Sequence, residues 1–438
     1  MSGRFAPYDS YQNSGFDWLG QVPNHWELQR LGGYFNERRE KVSDEDFAAL
    51  SVTMQGIVPQ LEDAAKTKDG DNRKLVRKGD FVINSRSDRK GSSGVSPLDG
   101  SVSLIAIVLE PEGMYPDYIH HLLRSEAFQE EFYRFGKGIV ADLWSTNYTS
   151  MKNITIPVIP EEEQKQIAAF LDYETAKIDA LIDKQQQLIA LLGEKRQAVI
   201  SHAVTKGLNS DAPMRDSGVE WLGEVPAHWG VARAKNVASV FVPQRNKPEL
   251  NPDGEGFYWV TMDQMKLKYI SHSPLAVSVK AVKDAGSKVL LKGAVIASCV
   301  GQFEVASINK VDVIINQQLQ AYIPTNICSE FLRLLVLLSQ SYFDQVGTAA
   351  TLVYVNQQGF EEMPVVVPPE SEQLKIIEIC DSKTEEIESL VSRIKESIEL
   401  LEERRTALIS AAVTGKIDVQ NWQPPTDNKP YKSNKEAA

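Results

Sequence analysis

The chain has 438 residues, 42% of them apolar, which is enough for about two to four domains with real cores. Its three cysteines, Cys299, Cys328 and Cys380, make no disulfide framework and fit a reducing cytoplasm. Residues 1–15 hold no apolar run that would serve as a signal peptide, and the apolar stretch at 331–339 is too short to span a bilayer, so a soluble cytoplasmic chain with no membrane segment is expected. The net charge of −12 argues against a chain that gathers phosphates unaided, because nucleic-acid binding draws on Lys and Arg.

Near the start, residues 14–26 read SGFDWLGQVPNHW, and residues 217–229 read SGVEWLGEVPAHW. Trp18 matches Trp221, Val22-Pro23 matches Val225-Pro226 and His25-Trp26 matches His228-Trp229, always 203 positions apart. His25 and His228 recur with their Trp partners, which points to packing rather than catalysis. The block that follows, about 26–150, carries β-rich runs at 74–87 and 101–111 and an amphipathic helix at 116–135. A Lys-Gly turn, Lys78-Gly79, precedes the first run's apolar stretch. The block ends on a Gly-rich loop and Asn147, seventeen residues before Gln164.

A long helix is predicted over 160–207: Pro160 opens it, Glu161 and Glu163 suit its N-terminus, and no interior proline breaks it. Apolar positions recur in alternating steps of three and four, the signature of a coiled-coil seam, with Ile178, Ile182, Ile189 and Leu192 at its centre.

The second copy repeats the plan. A β-rich run is predicted within 288–300, its apolar stretch following the Lys292-Gly293 turn, and another strand at 310–324, with a helix at 328–346 and Asn356 seventeen residues before Gln373. A second long helix follows over 369–416, displaced by 209 positions from the first, with Ile387, Val391, Ile398 and Leu401 in the matching seam. The variable blocks are nearly unrelated in sequence. The expected fold is therefore mixed α/β (α+β), two divergent domains joined by two long antiparallel helices in a coiled coil, related by a pseudo-two-fold internal repeat.

Machinery for chemistry is missing. There is no N-P-P-Y or D-P-P-Y tetrapeptide and no G-x-G-x-x-G after a strand. The VTGKID run at 413–418 lacks the upstream glycine of a phosphate loop, and Ile417 stands where Ser or Thr would; it reads as a helix ending at Gly415. No His or Cys spacing suits a metal.

Local charge partly offsets the acidic total. From Lys66 to Lys90 there are nine bases against four acids, and the run at 83–94 strings Asn, Ser, Arg and Lys through a Gly-rich turn after a strand. Such side chains suit phosphates and base edges. The candidate DNA contacts are Lys66, Lys68, Arg73, Lys74, Asn84, Arg86, Ser87, Arg89 and Lys90 in the first block. In the second they are Gln244, Arg245, Asn246, Lys247, Lys266, Lys268, Tyr269, Asn316 and Gln317. Read from the residues alone, both sets are also open to being solvated polar loops, the second set more than the first.

Two variable blocks, each followed by P-x-x-E-Q and a long helix, resemble the DNA specificity subunit of type I restriction-modification systems. VPNHWELQRLG at 22–32, GDFVINSR at 79–86, VPPESEQ at 367–373 and AVTGKID at 412–418 carry the resemblance, which covers roughly residues 14–420. The first copy departs from it at Lys206-Gly207, where the second has Gly415-Lys416. The resemblance implies two target-recognition domains, at 1–159 and 208–368, coiled-coil helices at 160–207 and 369–416, and a tail at 417–438. It implies a non-catalytic chain that reads a bipartite, asymmetric site in double-stranded DNA. It also implies partners: two methyltransferase subunits that use S-adenosylmethionine to methylate adenine, and restriction subunits that use ATP and Mg. The alternative is a duplicated structural adaptor whose globular ends bind proteins rather than DNA.

Overall fold

The computed structural model describes residues 5–61, 70–138, 144–252, 254–348 and 353–425. The chain divides into two compact units, one made of Met1–Gln187 with Ile394–Ala438 and one of Leu188–Arg393. Each contains an α/β part and a stretch of both long helices.

In the first unit an antiparallel sheet runs in the order Ser93–Val95, Phe81–Asn84, Ala106–Pro111, Phe35–Glu37. Successive strand residues face opposite sides. Phe81 and Ile83 therefore enter one core, with Ile107 and Leu109, while Val82 and Val108 enter another, with Val76, Val102 and Leu50. Both faces are covered, so the strand is apolar throughout rather than alternating. A three-stranded layer, Gly100–Val102, Arg73–Val76, Lys41–Val42, lies on the second core. Helices α1 (Pro116–Arg124) and α2 (Glu126–Arg134) cover the first through Tyr118, Leu122, Phe128 and Phe132.

Where one helix is predicted at 116–135, the structure has two. Ser125 takes an extended backbone and its Oγ accepts from Phe128 N, capping α2. Short helix α3 (Tyr148–Met151) is capped the same way by Asn147, whose Oδ1 accepts from Ser150 N at 2.9 Å. The first long helix, α4, follows as Glu161–Lys206.

The second unit repeats the sheet as Ala238–Phe241, Leu319–Pro324, Val295–Ser298, Ala306–Asn309, with Tyr269–Ile270 added as a parallel edge strand. Helix α5 (Val279–Ala285) precedes the central strand. The helix predicted at 328–346 again breaks at a serine, Ser339, into α6 (Ser329–Leu338) and α7 (Gln340–Val346). Asn356 caps α8 (Gln357–Glu362) by accepting from Gly359 N at 2.9 Å. The second long helix, α9, is Glu370–Val413.

Within each unit the start of one long helix packs beside the end of the other, so the pair runs antiparallel there. In the first unit Ile178, Ile182, Leu401 and Leu408 share the main core. In the second, Ile376 and Cys380 share theirs with Ile200 and Ala203. The seam side chains are among the less exposed on their helix turns; Ile387 is buried, and Ile189, Leu192, Val391 and Ile398 are half-buried.

Candidate nucleic-acid interface

The repeated Trp-rich stretch has a structural role that explains its spelling. Trp26 is buried and its Nε1 donates to Glu163 Oε1 at 3.0 Å, while His25 Nε2 lies 2.9 Å from Glu163 Oε2 and Tyr8 donates its hydroxyl at 2.7 Å. The second copy repeats it: Trp229 Nε1 donates to Glu372 at 2.9 Å and His228 Nε2 sits 2.8 Å from the same carboxylate. Burial favours the neutral form of Glu163, yet the hydrogen bonds from Tyr8, Trp26 and His25 outweigh it and hold the carboxyl below its ordinary range.

The next residue, Gln, ties the long helix to the variable block. Gln164 Oε1 accepts from Tyr115 N at the start of α1, and its Nε2 donates to Ile159 O, both at 2.8 Å. Gln373 does the same with Cys328 N and Pro368 O, both at 2.9 Å. The E-Q pair of the sequence is thus two adjacent clamps. About two turns further on, Asp172 pairs with His121 at 2.8 Å and its counterpart Asp381 with Lys268 at 2.5 Å. The long helix offers the same carboxylate twice, and each variable block meets it with its own side chain, a histidine in the first and a lysine in the second.

The helix ends close the other side. Gly415 takes a left-handed backbone (φ +72°), and a Cβ there would stand 2.3 Å from Pro23 and 3.0 Å from the Trp26 ring. Gly207 (φ +73°) stands in the same way against Trp229 and Pro226. Lys206-Gly207 and Gly415-Lys416 therefore differ by one position and share one solution.

The DNA candidates separate into distinct groups. Lys66 and Lys68 lie outside the described residues. Arg73 must be withdrawn: it is 4% exposed, and its guanidinium donates to Ser101 Oγ and Ser101 O at 2.8 and 3.0 Å. Lys74 is likewise turned inward, its Nζ donating to Ala106 O at 2.7 Å beside Glu37. Both sit on a strand whose neighbours capture them. Asn84 ends the central strand and spends its Oδ1 on Arg86 N. Arg86 and Arg89 are exposed, Ser87 is half-buried, and Lys90 is paired with Glu130.

In the second unit Arg245, Asn246, Lys247 and Lys266 are exposed. Gln317 Nε2 donates to the carbonyls of Gln244 and Arg245 at 3.0 and 3.3 Å, so the two predicted clusters, 242–248 and 316–318, meet. Asn316 Nδ2 is 3.3 Å from Gln318 Oε1. Lys268 and Tyr269 are withdrawn from the candidate surface. Lys268 is held by Asp381, and Tyr269 carries Lys268 and Lys310 against its ring while its hydroxyl donates to Glu330.

Residues missed from sequence complete the picture. At the end of the central strand, Arg86 is bridged to Ser145 and Ser145 to Lys137; in the second unit Val300 is bridged to Tyr354 and Tyr354 to Thr348. Ser145 and Tyr354 each lie two residues before the capping Asn, a matched position that could have pointed to them. Among the described residues no group of three or more His, Cys, Asp or Glu side chains is placed to hold a metal, and no helix is long and apolar enough to cross a membrane.

Residues 226–400 match the family described as Type I restriction modification DNA specificity domain. Over 92% of its length the chain is 23% identical to the putative type I restriction enzyme MjaX specificity subunit of Methanocaldococcus jannaschii, covering 96% of that protein. A 183-residue stretch, 40% of this chain and 37% of the relative, is 28% identical to the EcoKI specificity subunit of Escherichia coli. The fold matches a chain from a structure described as the structural basis of complex assembly and conformational transition of the type I R-M system, with a TM-score of 0.65 at 18% identity over 90% of this chain and 99% of that one. It also matches the HsdS subunit from Thermoanaerobacter tengcongensis, with a TM-score of 0.52 at 17% identity over 92% and 100% of the two chains.

The resemblance carried by the motifs is borne out by the matched family and by the relatives, which are type I restriction enzyme specificity subunits, and the fold is shared with the HsdS subunit. The relatives are named for specificity and the matched family is a DNA specificity domain, in agreement with a non-catalytic chain.

Proposed function

We propose that each unit reads one half of a bipartite, asymmetric site in double-stranded DNA, and that the duplicated constant parts hold two adenine methyltransferase subunits, which restriction subunits join. S-adenosylmethionine, ATP and Mg act, in this reading, on the partner subunits. The observation that carries it is the paired construction. The clamps Glu163–Trp26 and Glu372–Trp229 are the same, while the loops at the ends of the two central strands differ in every exposed residue type. One partner bound twice needs equal surfaces, and an asymmetric DNA site needs unequal ones. The net charge of −12 fits an assembly in which partners supply part of the phosphate neutralisation.

The test is a complex of this chain with its methyltransferase subunits, its methylated adenines mapped by sequencing, compared with a chimera carrying a foreign 27–150 segment. The expected result is a bipartite site of which the chimera changes one half. A folded chimera that alters both halves, or methylation without a defined sequence, overturns the reading.

A further inference from the structure

The loops at the ends of the two central strands are built on one main-chain ladder. In the first unit Lys137 N donates to Ser145 O at 2.9 Å and Ser145 N to Lys137 O at 3.2 Å, while Ser87 N donates to Trp144 O and Thr146 N to Ser85 O. In the second unit Thr348 and Tyr354 exchange the same two bonds at 2.9 and 3.2 Å, and Gly301 N donates to Val353 O and Val355 N to Cys299 O. Every bond of the first ladder has its counterpart in the second. Directly opposed residues in such a ladder present their side chains on one face. The first unit thus displays a row Arg86–Ser145–Lys137, and the second a row Val300–Tyr354–Thr348. The outer residues Arg86, Lys137 and Thr348 are exposed, and Tyr354 is 41% exposed.

Resting on the functional reading above, we infer that these two rows are base-reading elements of opposite chemistry. The cationic row takes a guanine-containing step of one half-site, and the apolar and aromatic row takes a thymine-containing step of the other. The DNA backbone is the same in both half-sites, whereas the rows differ in charge from one unit to the other, as elements that read different bases do. Arg86 and Lys137 supply donors for guanine O6 and N7, whereas Val300 and the Tyr354 ring supply surface for a thymine methyl. With strands about 4.8 Å apart the three residues span about 10 Å, or roughly three base-pair steps.

The test measures methylation by the complete complex on libraries in which each half-site base pair is varied in turn. The variants are Arg86→Val with Lys137→Thr, and separately Val300→Arg with Thr348→Lys. The ladder is held by main-chain atoms, so the first variant should melt as the wild type does; Val300 also packs against the second unit's core, so Thr348→Lys alone carries the second measurement should that double variant fail to fold, as Lys137→Thr alone carries the first. The first variant should lose roughly tenfold to a hundredfold of its preference for guanine at one position of one half-site, leaving the other half as it was. The second should change only the other half. Base preferences that stay unchanged, or a loss of methylation equal on all sequences, overturn the assignment. A wild-type complex with a defined bipartite site separates that failure from a failure of the functional reading.

Discussion

Arg405 Nε donates to Asp179 Oδ1 at 2.9 Å, and Arg196 Nη1 lies 3.5 Å from Glu388 Oε1. Arg405 follows Arg196 by 209 positions and Glu388 follows Asp179 by the same number, so one ion pair is written twice, once in each unit. All four side chains are more than a third exposed. Each pair should therefore contribute only about 0.2–1 kcal/mol and weaken with salt. Denaturation of Arg405→Glu, Asp179→Arg and the double variant should show partial rescue in the double, reduced at 1 M salt. Rescue that is indifferent to salt would show that packing, not charge, is at work.

Glu163 should matter more than its twin. It is buried under three donors, whereas Glu372 is partly exposed and has two. Glu163→Ala strands the buried indole of Trp26 and the hydroxyl of Tyr8, at about 2–4 kcal/mol, and Glu372→Ala should cost about 1 kcal/mol. Urea unfolding of the two variants checks the order; equal losses contradict it.

The same carboxylate carries a pH dependence. Its folded pKa lies below the ordinary value, so its stabilisation is present above the unfolded pKa and is lost as pH falls through the folded one. Stability of the wild type should fall as the solution is acidified below the usual carboxylate range, and Glu163→Gln should flatten that part of the curve. A curve of unchanged slope in the variant would assign the acid sensitivity to other groups.

Gly415→Ala should destabilise by several kcal/mol. It adds left-handed strain of about 1–2 kcal/mol to a clash with Pro23, which is part of a β-hairpin. Gly207→Ala meets Trp229 at 3.1 Å and Pro226 at 3.5 Å and should cost less. Thermal melting of both variants measures the difference.

Arg73 and Arg89 should separate stability from binding. Arg73→Ala removes a buried guanidinium from Ser101 and should lower stability, while Arg89→Ala should leave melting unchanged and weaken DNA binding. Melting and salt-dependent DNA binding, measured side by side, decide between these outcomes. An Arg89→Ala variant that binds as tightly as wild type removes this turn from the interface.

What could be read from sequence was what repeats or what is local. The duplicated Trp-rich stretch, the three-four stepping of the helices and the paired Asn147 and Asn356 each declare themselves within a few residues or by a constant offset. The breaks at Ser125 and Ser339 were equally local, but the apolar residues of the flanking segments mask the break between them. Arg73 and Lys74 were not legible as structural. Their partners Ser101 and Ala106 sit about thirty residues away, and sequence offers no measure of whether a cation meets water or a carbonyl. The Arg86–Ser145–Lys137 row joins three separated segments and exists only in the folded chain.

The closing of the first unit by the far end of the chain sets an order of manufacture. Ala412, Val413, Ile417 and Val419 belong to the same core as Trp26 and Phe170, and Trp422 lies edge-on against Phe170. The second unit, by contrast, is one continuous stretch, Leu188–Arg393. On the ribosome the later-coded unit has all its residues first. The earlier-coded one waits with an open apolar face until synthesis reaches the last turns of α9 and the segment beyond, so the window for misassembly falls on the N-terminal half, against the usual direction of co-translational folding.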